Sequence, residues 1–294
     1  AASLHNTVIL PYLVRHGTEE QKQKYLPRLV SGDLVSAIAM TEPGVGSDLQ
    51  SITTTAVKDG NGYRISGSKT YISSGQIADF IIVVAKTDPN ERAKGISLML
   101  LETEGAEGFQ RGRKLDKIGM DAADTSELFF DNVFVPAENV LGGVEGKGFY
   151  QLMGELPQER LIIAVGAING IEKALETTMD YVKNRKAFGQ TIWDFQNTQF
   201  VMADLKARST AARVFVNDCI ARHLKGELDV ATACMAKYWV TELQGEVVDK
   251  CLQFHGGAGF INDYPIARMY RDSRITRIFG GSNEVMKMVI ARGM

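Results

Sequence analysis

Apolar residues recur along this chain in three rhythms. In the first 31 residues, Val8, Leu10, Leu13 and Val14 form one helical stripe, which Gly17 closes. Thr18-Glu-Glu-Gln21 has the form of a capping box and opens a second helix carrying Tyr25, Leu26, Leu29 and Val30, ended by Gly32-Asp33. From Ser36 to Leu141 the rhythm shortens. Segments 36–40, 53–57, 63–66, 70–73, 80–85, 96–101 and 127–130 are rich in β-branched and aromatic residues and predict strands. Asp59-Gly-Asn-Gly62 predicts a hairpin between two of them. Many short strands at close spacing predict a compact antiparallel barrel or sandwich. Past Asn139-Val-Leu-Gly-Gly143 and Glu145-Gly-Lys-Gly148, a period near 3.6 takes over. Leu161, Ile162, Val165, Ile168, Ile171, Leu175, Met179 and Val182 mark the first long helix; 194–225, 228–254 and 265–292 predict three more. Four long helices with short connections read as a bundle.

Composition narrows the class. The chain has 294 residues, 45% hydrophobic and 23% charged, with a net charge of -2. That balance is ordinary for a globular protein, and without a basic block it gives no reason to expect a nucleic-acid partner. No apolar run approaches the length of a membrane span. Cys219, Cys234 and Cys251 lack redox or metal spacing, and His5, His16, His223 and His255 are too scattered for a zinc site, so no metal is expected. The cysteines read as buried small hydrophobes.

Thr41-Glu-Pro-Gly-Val-Gly-Ser-Asp48 follows a predicted strand. Its glycines let backbone N–H groups approach a ligand, which suits a pyrophosphate; alone it is an ordinary Pro/Gly turn. It does not stand alone. Lys69-Thr-Tyr-Ile-Ser73, Arg185-Lys-Ala-Phe-Gly-Gln190 with Phe195-Gln196, Gln253-Phe-His-Gly-Gly257 and Arg277-Ile-Phe-Gly-Gly-Ser-Asn-Glu284 follow it in order. Together these five motifs resemble the acyl-CoA dehydrogenase family, most closely its long-chain branch.

The resemblance implies an α+β fold: residues 1–35 as the end of an otherwise missing N-terminal helical domain, 36–142 as a middle antiparallel β-barrel domain, and 143–294 as a C-terminal four-helix bundle. It implies FAD between the last two, in a homotetramer (a dimer of dimers) whose cofactors each touch two subunits. By the same resemblance Met40 and Thr41 lie along the flavin ring, and Gly46 and Ser47 meet the pyrophosphate. Tyr71 and Ser73 lie against the ring's other side, with Tyr71 where many members have Trp. Arg185, Phe188, Gln196, Gln253 and Gly257 reach the cofactor of the neighbouring subunit. Ser282 and Glu284 also lie near the cofactor. Ser47, Arg160 and Phe279 face the substrate.

The family's chemistry needs a carboxylate to take the α-proton of an acyl-CoA while the β-hydrogen leaves as hydride. Most members carry that Glu where this chain has Gly280. Gly280 moves no proton, but its backbone N–H, with a ribityl hydroxyl of FAD, suits the thioester oxygen. Leu156-Pro-Gln-Glu-Arg160 matches the segment that holds the base in the long-chain type, which makes Glu159 the base. Pro157 predicts a helix start there, so Glu159 is expected near a helix N-terminus, where the dipole lowers its pKa and apolar surroundings raise it. The resemblance thus implies dehydrogenation of a saturated, medium- or long-chain acyl-CoA to the trans-2-enoyl-CoA, with an electron-transfer flavoprotein as electron acceptor. Loss of the Glu side chain at 280 also widens the pocket, which suits branched chains. Two other readings stay open: an acyl-CoA oxidase on the same scaffold, and an inactive acyl-CoA-binding or assembly subunit. The expected compartment is the cytoplasm in a bacterium or the mitochondrial matrix in a eukaryote.

Overall fold

The computed structural model describes residues 4–294; residues 1–3, the start of the first expected helix, lie outside the described residues. The chain falls into two compact units, Ala1–Lys117 with Asp121–Glu155, and Ile118–Met120 with Leu156–Met294.

In the first unit a π-turn, His5–Ile9, leads into α1 (Leu10–His16), followed by α2 (Glu19–Ser31). The capping box forms as the sequence predicts. The Gln21 amide N–H donates to Thr18 Oγ1, and the Thr18 N–H donates to Gln21 Oε1. Gly32 ends α2 in the left-handed region, at φ 83°. The apolar stripe is shifted, however. Ile9, Tyr12, Leu13, Tyr25 and Leu29 are buried, while Val14 and Val30 are exposed. Each valine is the next residue after a buried leucine, about 100° further around its helix.

The sheet has seven strands: β1 (Ser36–Ala39), β2 (Thr55–Asp59), β3 (Gly62–Ser73), β4 (Phe80–Lys86), β5 (Ile96–Glu102), β6 (Phe109–Lys114) and β7 (Thr125–Pro136). Their order is β1-β4-β2-β3-β7-β6, with β5 along β4. Most pairings are antiparallel, but β1 and the start of β2 run parallel to β4. Strand β4 explains why this unit closes. Ile81, Val83 and Ala85 enter one apolar cluster, and Phe80, Ile82 and Val84 enter the other, which holds Ile9, Tyr12, Leu13 and Tyr25. The helices therefore cover one face of the sheet. The two expected strands 63–66 and 70–73 are one strand, β3, with register shifts between Ile65 and Gly67 and between Lys69 and Ile72. Strand β6 gave no apolar signal because it is an edge strand of mainly exposed polar residues.

Gln21 ties the helices to the rest of this unit. It is 4% exposed; its Nε2 donates to the carbonyls of Glu138 and Val140, both at 2.7 Å, and its Oε1 accepts from Gly142.

The second unit contains most of α3 (Gly148–Asn184), then α4 (Gln196–Leu224), α5 (Val230–His255), α6 (Pro265–Ser273) and α7 (Asn283–Arg292). A short hairpin of β8 (Lys186–Ala187) and β9 (Gln190–Thr191) joins α3 to α4. Leu161, Ile168, Ile171, Met202, Leu205, Val216, Val240, Leu243 and Val247 share one core. Cys219, Cys234 and Cys251 are buried as expected.

Two expectations for this unit are corrected. Segment 265–292 is not one helix. After α6 comes a 3-10 turn, Arg274–Arg277; Gly280 and Gly281 then reverse the chain at φ 65° and 90°, and Ser282 caps α7. Pro157 does not start a helix. It sits inside α3, which already begins at Gly148.

Gln21→Leu removes four hydrogen bonds to backbone groups, those of Thr18, Glu138, Val140 and Gly142. It should cost about 1–3 kcal/mol, seen as a lower urea midpoint with an unchanged slope.

Candidate active site

In the first unit the expected residues converge on the loop after β1. Strand β1 ends at Ala39, and Glu42 and Val45 pair across the turn at 41–48. Beneath the turn lies a fully buried Lys69, whose Nζ donates to the Met40 carbonyl and to Glu42 Oε1, both at 3.0 Å. Glu42 also accepts from the backbone N–H and hydroxyl of Thr53 and from the N–H of Thr54. Burial raises the Glu42 carboxyl, but Lys69 and these donors outweigh it and hold the group at about 2. Burial pulls the Lys69 ammonium down to about 8, against the attraction of Glu42.

The Thr70 N–H donates to the Thr41 carbonyl at 2.9 Å, which sets the Lys69–Ser73 end of β3 beside the turn. Met40, Thr41, Tyr71 and Ser73 are thus brought together, with Gly46 and Ser47 exposed on the turn. Tyr71 lies in the register shift of β3 at φ 60°, with 68% of its surface exposed. A non-glycine residue in that region is strained, and such strain concentrates at functional sites.

In the second unit the expected residues fall into two groups. Arg185, Phe188 and Gln196 lie at the hairpin and the start of α4; Gln253 lies at the end of α5, and Gly257 in the 3-10 turn that follows it. Tyr181 joins these segments by stacking on His255 at 4.2 Å and donating to its carbonyl, while the Arg185 N–H donates to the Tyr181 carbonyl. Phe188 sits at φ 56°, is 95% exposed and meets Phe195 edge-on at 6.3 Å.

The other group surrounds Gly280. Ser282 accepts from the Val285 N–H as the cap of α7, and Glu284 stands exposed in its first turn. The Glu284 carboxyl is lowered by its own backbone N–H and then by the Ser282 hydroxyl. On α3, Glu159 is half-buried and Arg160 is 6% exposed. A Cβ built on Gly280 would overlap Cδ1 of Ile163. Ile163 lies four residues beyond Glu159, so the two side chains share one face of α3. The Glu159 face is therefore turned toward Gly280, though not at a helix N-terminus. Glu159 is about three turns inside α3, beyond the reach of the dipole at its start.

Glu155, one turn before, is not an equivalent carboxylate. It is 2% exposed and held by Arg15 at 2.5 Å and His16 at 3.0 Å.

The sequence reading gave no role to the polar groups beneath the Gly280 loop. Lys237 on α5 is fully buried. Its Nζ donates to the Gly281 carbonyl and to Asn283 Oδ1, both at 2.8 Å. Asn283 Nδ2 donates in turn to Thr241 at 3.0 Å and Glu242 at 2.7 Å. Burial, then the charge of Arg160, draws Lys237 down to about 8. Arg160, expected to face the substrate, donates to the Cys234 sulfur at 3.3 Å, and its Nε has no hydrogen-bond partner. A signal was available: Lys237 interrupts the otherwise apolar run Ala233, Cys234, Ala236, Val240. Among the described residues no His, Cys, Asp and Glu gather as a metal site, and no helix is long and apolar enough to cross a membrane.

The family models of the acyl-CoA dehydrogenase N-terminal, middle and C-terminal domains match residues 1–33, 37–133 and 146–294. The mouse long-chain specific acyl-CoA dehydrogenase, mitochondrial, is 50% identical over 99% of this chain and 67% of its own length. The crystal structure of an acyl-CoA dehydrogenase from Geobacillus kaustophilus matches with a TM-score of 0.97 at 49% identity, covering 99% of this chain and 76% of that one. The structure of PigA with FAD and proline matches at 0.94 and 31% identity, covering 98% and 75%. This chain belongs to the acyl-CoA dehydrogenase family, and its class is that of the oxidoreductases.

Lys69→Met strands a buried carboxylate and should cost roughly 3–5 kcal/mol in urea unfolding. The sign with pH follows from Glu42. Its folded value of about 2 lies below its ordinary 4.5, so the unfolded chain takes the proton first. Its contribution is whole above pH 4.5 and is lost as pH falls toward 2. The acid limb of a stability titration should therefore be shallower in Lys69→Met than in wild type.

Proposed function

We propose that this chain is an FAD-dependent dehydrogenase that converts a saturated acyl-CoA thioester to its trans-2-enoyl form, with Glu159 as the base. The observation that carries this reading is the arrangement around Gly280. The position lacks an acid, and the space its side chain would enter is filled by Ile163, one turn from Glu159 on the same face of α3. The acid is displaced by one helix face rather than lost. This supports an active enzyme over a binding subunit.

The residues fit the cofactor. A Cβ on Gly44 would meet open space and one on Gly46 only the Thr41 methyl, so a pyrophosphate can approach the backbone there. Tyr71 offers an exposed ring beside Thr41, and Ser47 and Ser73 offer exposed hydroxyls. The exposed Arg185 can fork onto phosphate oxygens. Gln253 lies sixteen residues (253 minus 237) beyond Lys237, which holds the loop before Ser282. That is about 24 Å along α5. The separation supports assigning Arg185, Phe188, Gln196, Gln253 and Gly257 to the cofactor of a neighbouring subunit, and Ser282 and Glu284 to the chain's own.

In the reaction, the Glu159 carboxylate takes the α-proton. The electron pair of that C–H bond becomes the new C2–C3 π bond, and the β-carbon releases hydrogen with both its electrons. FAD, when bound, supplies the acceptor for that hydride and the route to an electron-transfer flavoprotein. The Gly280 N–H donates to the thioester oxygen, where negative charge develops as the α-proton leaves. Arg160, next to Glu159 on α3, is buried with its guanidinium against the Cys234 sulfur. The likeness to the mouse long-chain enzyme favours long acyl chains. Ile163 fills the space vacated at 280, which disfavours the widened, branched-chain pocket.

Anaerobic addition of a saturated long-chain acyl-CoA should bleach the flavin absorbance of the wild type. Glu159→Gln should keep its flavin and bleach roughly 10²–10⁴-fold more slowly; full retained activity would remove Glu159 as the base. Hydrogen peroxide at turnover rate in air would assign the oxidase reading instead. Ile163→Ala, by reopening the space beside Gly280, should raise turnover of branched relative to straight acyl-CoA; an unchanged ratio would show that Ile163 does not line the pocket.

A further inference from the structure

We propose that Lys237 is a positioning residue: buried under the Gly280–Gly281 turn, it fixes the backbone so that the Gly280 N–H meets the thioester oxygen. The inference rests on the acyl-CoA reading above and goes beyond it, because Lys237 touches neither substrate nor cofactor.

The turn needs a clamp. Gly280 and Gly281 stand at φ 65° and 90°, a path that suits glycine and that glycine does little to hold. An amide must stay within a few tenths of an ångström to serve as a preorganised donor. Three groups close on the turn from different sides. Ile163 lies against Gly280, Met286 packs on Gly281, and Lys237 binds the Gly281 carbonyl from beneath. The ammonium binds Asn283 as well, so one cation joins the turn to the first residue of α7.

Stability alone is a poor account of this lysine. A buried ammonium is costly, and a well-packed apolar residue in its place is often neutral or stabilising. Here the cost is increased by Arg160, a second buried cation whose Nε lacks a partner. Lys237 donates its hydrogen bonds to neutral acceptors, the Gly281 carbonyl and Asn283 Oδ1, in contrast to Lys69, which also donates to a carboxylate. Glu242, through Asn283, and Glu284 attract the ammonium only from further off, so its hydrogen bonds go to the loop itself rather than to a carboxylate.

The test uses the FAD-loaded protein and cinnamoyl-CoA, an unsaturated thioester whose absorbance moves to longer wavelength when its carbonyl is polarised. Wild type should shift that absorbance. Lys237→Met should bind the probe with similar affinity but give a smaller shift. Its kcat should fall by roughly 10–100-fold with KM within about 3-fold. Should Lys237→Met not fold, Lys237→Gln serves: shorter and uncharged, it reaches only one of the two acceptors. A full shift and full kcat in the folded, FAD-loaded variant, even with a lowered melting temperature, would make Lys237 merely structural and overturn the proposal. A wild type that bleaches with acyl-CoA but leaves the probe unshifted would overturn it too, while sparing the dehydrogenase reading. A wild type that does neither overturns both.

Discussion

A buried ammonium is among the costliest groups a protein can hold, and each unit of this chain holds one under an irregular loop. Lys69 and Lys237 are both fully buried. Each reaches one backbone carbonyl and one side-chain oxygen: Met40 and Glu42 in the first unit, Gly281 and Asn283 in the second. Irregular backbone has no ladder of its own to satisfy its polar groups, so it must be held by specific side chains. The turn at 41–48 and the Gly280–Gly281 turn depend on these two clamps, and much of the expected cofactor and substrate chemistry sits on those turns. The charge balance differs. Lys69 meets a carboxylate that is itself held by three further hydrogen bonds, while Lys237 meets neutral acceptors and stands near Arg160. The first arrangement pairs its cation directly with a carboxylate; the second meets Glu242 and Glu284 only at longer range.

Gly280 and Ile163 show how one position constrains another. A glycine in place of an acid removes a base, but it also lets the backbone take φ 65° and admits Ile163 into the freed space. Restoring a side chain at 280 would incur both backbone strain and overlap with Ile163. With Glu159 as the proposed base, the acid on the facing helix and the apolar filler one turn later form a matched pair. Substituting one without the other gives either no carboxylate or no room for it.

Much of the fold was legible because it follows local rules. The Thr18–Gln21 capping box, the Asp59–Gly62 hairpin and the long helical periods each depend on residues close in sequence. The failures were positions where a neighbour overrode the local signal. Pro157 reads as a helix start, yet α3 had begun at Gly148, and the dipole argument for Glu159 fell with it. Strand β6 is polar because it is an edge, so it carries no apolar signal. The clamps were the hardest to see. A lone Lys in an apolar run says that something must accept its protons; only the packed structure says that Gly281 and Asn283 do.

The exposed aromatics carry the argument one step further. Tyr71 and Phe188 both hold left-handed backbone, which costs a residue with a Cβ about 1–2 kcal/mol. A buried aromatic can offset such strain by packing. These two are 68% and 95% exposed, so little of that offset is made within the chain. Gly67 and Gly189 stand close in sequence to them and also take positive φ, so the folds of both segments had glycine available for such bends. Tyrosine and phenylalanine occupy these strained positions themselves, and under the proposed function their rings contact a bound cofactor or a second copy of the chain. Both were expected from sequence to contact cofactor, and under the proposed function that contact offsets the strain.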